Sequence, residues 1–214
     1  MTWNVPNQIT VARIILAGIF FALLGLYNPN KDYSGTLVQI SFVIFVLAAG
    51  SDFLDGYLAR KWNQVTAFGR IADPFVDKIL IVGAFVLLAG RDFSVSPSEL
   101  SSFEQSLPTW VTANMSTCMQ PWMVVVILAR EFVVSAIRGF SESQGKKFPA
   151  IAVGKLKMIL QSIAVGAIVF CLAWGNGQTW CNAIKVICVW LTLIVTIYSG
   201  VIYVVKSKSL LSDN

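Results

Sequence analysis

The chain has 214 residues, of which 56% are hydrophobic and only 13% charged, with 16 Lys+Arg against 11 Asp+Glu and no His. Soluble domains carry about a quarter charged residues, so this composition excludes an ordinary soluble fold and leaves a single all-α, membrane-embedded domain over residues 1–214. The missing imidazole removes the commonest neutral-pH base and leaves proton transfer to a carboxylate, Lys, Tyr or Cys.

Apolar runs fall at roughly 8–27, 36–58, 71–90, 121–140, 150–174 and 183–205. Each is about long enough to cross a bilayer when tilt is allowed, which predicts six transmembrane helices. The first run follows Trp3 and Pro6 and contains Arg13. That order does not resemble a cleaved signal peptide and reads as a retained helix. Between the runs lie segments 28–35, 60–66, 91–120, 141–149 and 175–180. Arg60, Lys61, Arg70, Lys146, Lys147, Lys155, Lys157, Lys206 and Lys208 gather at one set of helix ends, against Lys31, Arg91 and Lys185 at the other. The positive-inside rule then predicts that both termini are cytoplasmic. The net charge of +5 becomes orientation and attraction to anionic headgroups, with no support for a nucleic-acid partner. The absence of a mitochondrial-type Arg- and Ser-rich leader favours a bacterial plasma membrane over an organelle.

The polar segment 91–120 offers no recognisable site. The four cysteines form no CxxC pair, which argues against zinc clusters. Cys118 and Cys181 fall on the outer side, and a disulfide between them is the lesser expectation.

Asp52, Asp55, Asp73 and Asp77 lie at the cytoplasmic ends of the second and third runs. Acids are costly inside a bilayer and need a compensating reason. At 100° per residue, Asp52, Asp55, Gly56 and Ala59 share one helical face, and Asp73 and Asp77 share another with Gly69 and Arg70 at its edge. Opposed, the two faces surround one cavity with four carboxylates, which stay ionised only if cations neutralise them. An all-oxygen set selects hard cations, magnesium or manganese. Two such ions are suited to in-line phosphoryl displacement. Read singly, these residues could equally form a turn, pack against another helix, or pair with Arg60 and Arg70.

The pattern Asp52-x2-Asp55-Gly56-x2-Ala59-Arg60-x8-Gly69-x3-Asp73-x3-Asp77 resembles, without a departure, the signature of the CDP-alcohol phosphotransferases. The resemblance implies a six-helix, usually dimeric membrane enzyme that transfers a phosphatidyl or similar group from a CDP-linked donor to a hydroxyl and releases CMP. It implies that Asp52, Asp55, Asp73 and Asp77 bind two divalent cations and that Asp77 is also the general base. It implies, too, that Gly56, Ala59 and Gly69 line the nucleotide pocket, with Arg60 near the donor diphosphate.

More loosely, the chain resembles the bacterial phosphatidylglycerophosphate synthases of that family, through Asn7-x2-Thr10-x2-Arg13, Trp62-Asn63, Arg130-Glu131 through Arg138, and Gly154-Lys155-x-Lys157. The donor and acceptor so implied are CDP-diacylglycerol and glycerol 3-phosphate. The long 91–120 segment departs from the compact form expected of that group. Arg130 and Arg138 are about 80° apart on one helix and suit bidentate phosphate binding; alternatively they snorkel to lipid phosphates or pair with Glu131. Lys155 and Lys157 are about 200° apart, so at most one faces the same cavity, and Lys155 is expected to be that one. Asn7 and Thr10 contact the nucleotide or cap the first helix. The competing readings are another acceptor within the family (inositol phosphate, serine or a phosphatidyl lipid) and, from a different class, a cation-coupled transporter or a non-catalytic membrane scaffold.

Overall fold

The computed structural model describes residues 5–61, 67–96, 100, 102–145, 152–175 and 178–211, with side chains for 7–51, 75–96, 100, 103–145, 153–175 and 178–207. Six long helices carry the chain: α1 (Val5–Gly25), α2 (Ser34–Lys61), α3 (Ala67–Leu88), α6 (Pro121–Ser143), α7 (Ala152–Trp174) and α8 (Thr179–Leu211). Two short helices, α4 (Ser102–Ser106) and α5 (Thr109–Thr112), lie between α3 and α6. Proline at the start of α6 costs nothing there, because its missing N–H would have had no helical partner. The same helix ends just before Gly145, whose φ of 68° is the left-handed turn that glycine adopts without strain.

Each long helix packs on two neighbours, closing a ring in the order α1, α2, α7, α8, α6, α3, with α3 also touching α7 across it. The interior is a continuous apolar cluster that includes Phe20, Phe45, Phe85, Met123, Ile127 and Ile168. Burial is inverted relative to a soluble bundle. Phe132, Val43, Ile159, Ile187 and Val201 are exposed, while Arg13, Lys157, Gln161, Thr196 and Ser199 are buried. This is the arrangement expected when the surrounding solvent is lipid and polar groups hold helices together. Four helices, α1, α2, α7 and α8, are long and apolar enough to cross a membrane. Helices α3 and α6 match them in length, but α3 carries Arg70, Asp73, Asp77 and Lys78, and α6 carries Arg130, Glu131, Arg138 and Glu142. Trp110, Trp122, Trp174 and Trp180 are exposed at the end opposite the acids, where indole rings favour a membrane interface.

The segment expected to be a featureless polar loop is a folded cap. A 3-10 turn (Arg91–Phe93), α4, α5 and an antiparallel bridge between Ser94 and Met115 shape it. Tyr27 stacks on Phe93 with centroids 4.5 Å apart. The Lys185 amine of α8 donates to the Ser116 carbonyl at 2.5 Å and lies 3.5 Å from the Glu104 carboxylate, which ties the cap to the bundle. A cavity of about 340 Å³ in the cap is lined in part by Leu100, Glu104, Thr109 and Asn114. All four cysteines are free thiols. Cys118 lies beside Glu104, whereas Cys181 lies beside Cys171.

Burial pushes the Cys118 thiol up to about 12; the Lys185 ammonium acts against this shift and Glu104 adds to it. A thiol reacts through its thiolate. In a variant keeping only Cys118, maleimide labelling of the folded protein at pH 8 is therefore expected to be slow, becoming rapid on unfolding. Fast stoichiometric labelling of the folded form would contradict the buried cap.

Candidate active site

Helix α2 runs unbroken to Lys61 and α3 begins at Ala67, so Asp52 and Asp55 sit on the last turns of one helix and Asp73 and Asp77 on the first turns of the next. The side chains of Asp52, Asp55, Gly56, Ala59, Arg60, Gly69 and Asp73 lie outside the described residues. Asp77 is described. Its carboxylate accepts a hydrogen bond of 2.7 Å from Nη1 of Arg13, whose side chain is 0% exposed against 21% for Asp77. Nε of Arg13 donates to Ser51 Oγ at 3.3 Å. Ser51 immediately precedes Asp52, so one guanidinium on α1 joins the acid-bearing ends of α2 and α3.

From the sequence, Arg13 stands out as a charge inside the first apolar run and as part of the Asn7-x2-Thr10-x2-Arg13 stretch. A cation inside an apolar helix demands an acidic partner, and that demand was the signal for its importance. Asn7 and Thr10 are buried on the same helix, three residues apart.

A second polar cluster joins α6, α7 and α8. Arg130 donates from Nε to Ser199 Oγ at 3.0 Å and from Nη1 to Glu131 at 3.2 Å. Arg138 donates from Nη2 to the Tyr203 hydroxyl at 2.7 Å. Both guanidiniums also lie over the Tyr203 ring, 5.4 and 5.3 Å from its centroid, within cation–π range. The expectation that the two arginines border one place is met through this ring, which sequence reasoning missed because an aromatic in an apolar helix reads as packing. Gly154 makes room for it, since a Cβ there would stand 3.0 Å from the Tyr203 hydroxyl.

Of the two lysines, Lys157 is the one that reaches this cluster. Lys155 is exposed, whereas Lys157 is buried and forms a short ion pair with Glu131. With the two lysines on nearly opposite faces, the position of Glu131 across the α6–α7 seam selects Lys157. Glu131 pairs with Arg130 and Lys157, leaving Arg138 to Tyr203. Lys78, next to Asp77, donates to Ser135 on α6 at 2.7 Å and so joins α3 to α6 beside this cluster.

Residues 3–198 match the profile of the CDP-alcohol phosphatidyltransferases. The chain belongs to this family. Among curated relatives, the CDP-diacylglycerol–glycerol-3-phosphate 3-phosphatidyltransferase of Haemophilus influenzae is 31% identical over 217 aligned positions, covering 100% of this chain and 98% of that protein. The proteins of the same name from Rickettsia typhi and Bacillus subtilis are 30% and 32% identical, covering 96% and 78% of this chain and 98% and 76% of theirs.

Breaking a buried ion pair by deleting one partner costs about 3–5 kcal/mol. Arg13→Met is expected to lower the melting temperature in detergent markedly and to reduce transferase activity, with Arg13→Lys recovering part of both. A wild-type melting temperature for Arg13→Met would show that the Asp77 pair does not hold the helices together.

Proposed function

We propose that this chain transfers the phosphatidyl group of CDP-diacylglycerol to glycerol 3-phosphate, giving phosphatidylglycerophosphate and CMP, as a homodimeric enzyme of the bacterial plasma membrane with six crossings and a cytoplasmic active site. Two features support this reading: the names of the full-length relatives and the basic charge at the helix ends that carry the acids. The observation that carries the acceptor's identity is the convergence of Arg130 and Arg138 on Tyr203. Paired guanidiniums suit a phosphorylated acceptor better than serine or free inositol.

The acidic group fits hard divalent cations. Its donors are carboxylates only, and the Arg13 bridge from Ser51 to Asp77 draws the two acid-bearing helices together. Asp52, Asp55, Asp73 and Asp77 would hold two magnesium or manganese ions, which supply charge neutralisation at the donor diphosphate. The acyl chains of the donor stay in lipid while its cytidine and diphosphate lie along Gly56, Ala59, Arg60 and Gly69, with Asn7 and Thr10 at the α1 side. Glycerol 3-phosphate enters from the cytoplasm and sets its phosphate against Arg130 and Arg138, with exposed Lys155 adding positive charge at the mouth. Asp77 takes the proton of the acceptor hydroxyl, the oxygen attacks the lipid-linked phosphorus in line, and CMP departs. Low dielectric around the cationic cluster strengthens its hold on the phosphate.

A transporter reading fits less well, because acids in a coupling site sit near the midplane on interrupted helices, whereas α2 is unbroken through Asp52 and Asp55. Purified protein given labelled CDP-diacylglycerol and a panel of acceptors is expected to release CMP with glycerol 3-phosphate, to stop on chelation, and to resume with magnesium or manganese. Asp77→Asn is expected to lower turnover by about 10²–10⁴-fold, the usual contribution of a positioned base. Strong activity with serine or free inositol would sink the acceptor assignment, and near-normal turnover of Asp77→Asn would sink the base.

A further inference from the structure

Buried hydroxyls on membrane helices ordinarily return their proton to a carbonyl three or four positions back. Ser41, Ser199 and Ser207 do so, and so do half-buried Ser51 and exposed Ser143, the latter on α6 itself. Ser141 departs from this habit. It is 3% exposed, and its Oγ has no hydrogen-bond partner. Among the described residues the other buried side-chain nitrogen or oxygen in this condition is Nε of Arg138. The two residues are three positions apart on α6, about 60° around the helix and about 4.5 Å along it. Buried polar atoms are nearly always satisfied, so two orphaned donors on one helical face, beside a guanidinium, mark a place meant for an acceptor of hydrogen bonds that comes and goes.

The protein's own groups show which anion-binding duties remain. Arg130 is engaged by Ser199, Glu131 and the Tyr203 ring. Arg138 is held by Tyr203 through Nη2 and the ring, while its Nε stays unsatisfied. A tetrahedral phosphate offers several oxygens and can accept from Arg138 Nε and Ser141 Oγ together. Ser141 is also two residues from the end of α6 at Ser143, on the side from which a soluble acceptor arrives.

We infer that Ser141 is a binding residue for the acceptor phosphate, donating from Oγ to the same phosphate that Arg138 Nε holds. This inference rests on the phosphorylated-acceptor reading and divides the labour within it. Arg138 and Ser141 grip the phosphate, and Arg130 is the anchored partner that supplies positive charge.

The test is the kinetics of Ser141→Ala and Ser141→Thr in phospholipid-free detergent, with inorganic phosphate as competitor. A hydrogen bond to a charged oxygen is worth about tenfold in affinity. Ser141→Ala is expected to raise the KM for glycerol 3-phosphate about tenfold and to weaken phosphate inhibition in parallel. The KM for CDP-diacylglycerol and the melting temperature are expected to stay at wild-type values, because an unsatisfied hydroxyl supports no structure. Ser141→Thr restores the hydroxyl and is expected to recover the acceptor KM. An unchanged acceptor KM and phosphate inhibition in Ser141→Ala would overturn the inference, as would equal losses for donor, acceptor and melting temperature. A change confined to retention of phosphatidylglycerol in nanodiscs would assign the hydroxyl to a lipid headgroup and overturn it too. If the wild type fails to use glycerol 3-phosphate, the proposed reaction falls. Calorimetric binding of inorganic phosphate to wild type and Ser141→Ala still decides whether Ser141 holds a phosphate.

Discussion

The Arg13 guanidinium is the constraint on which the acidic half of the molecule depends. A fully buried cation on a lipid-embedded helix is tolerable only when fully paired. Its bonds to Ser51 and Asp77 therefore fix the rotation of α1 against α2 and α3 at once. Apolar contacts between these helices have no comparable directional force, since lipid offers side chains an equally apolar alternative. The acid-bearing ends of α2 and α3 thus have their register set by one charge on a third helix.

The cationic half follows a different rule. Around Glu131 and Tyr203 stand Arg130, Arg138 and Lys157, with Lys78 bonded to Ser135 nearby. One carboxylate and one aromatic face offset several positive charges in a place of low dielectric. This keeps the helices folded while leaving a surplus of positive charge. At the opposite end, the Lys185–Glu104 contact and the Tyr27–Phe93 stack close the bundle with a cap.

The six long helices were legible in the sequence because uninterrupted apolar runs of about 20 residues have few other fates. The spacing of the acidic signature placed its residues on the two helices that carry them, α2 and α3, and of its four carboxylates Asp77 has a described side chain. What escaped was pairing across distance. The Arg13–Asp77 contact joins residues 64 positions apart and Arg138–Tyr203 joins residues 65 apart; no periodicity announces either. The choice of Lys157 over Lys155 depended on where a neighbouring helix carries Glu131. The cap was unreadable for another reason: it turns through Ala113, Asn114 and Cys118, all at positive φ, where no glycine marks the bends.

Tyr203 and Ser199 belong to α8, which is synthesised after α6 and α7. Until α8 arrives, Arg130 and Arg138 on α6 lack both the hydroxyl and the ring that hold them. The growing chain must therefore pass through a stage in which the two guanidiniums of α6 lack these partners, with Glu131 already beside Arg130. Settling of α6 is thus coupled to the chain that follows it, because its two arginines are completed by residues of α8. An enzyme cut short before α8 would be left with its acidic helices joined and its cationic helix unsettled.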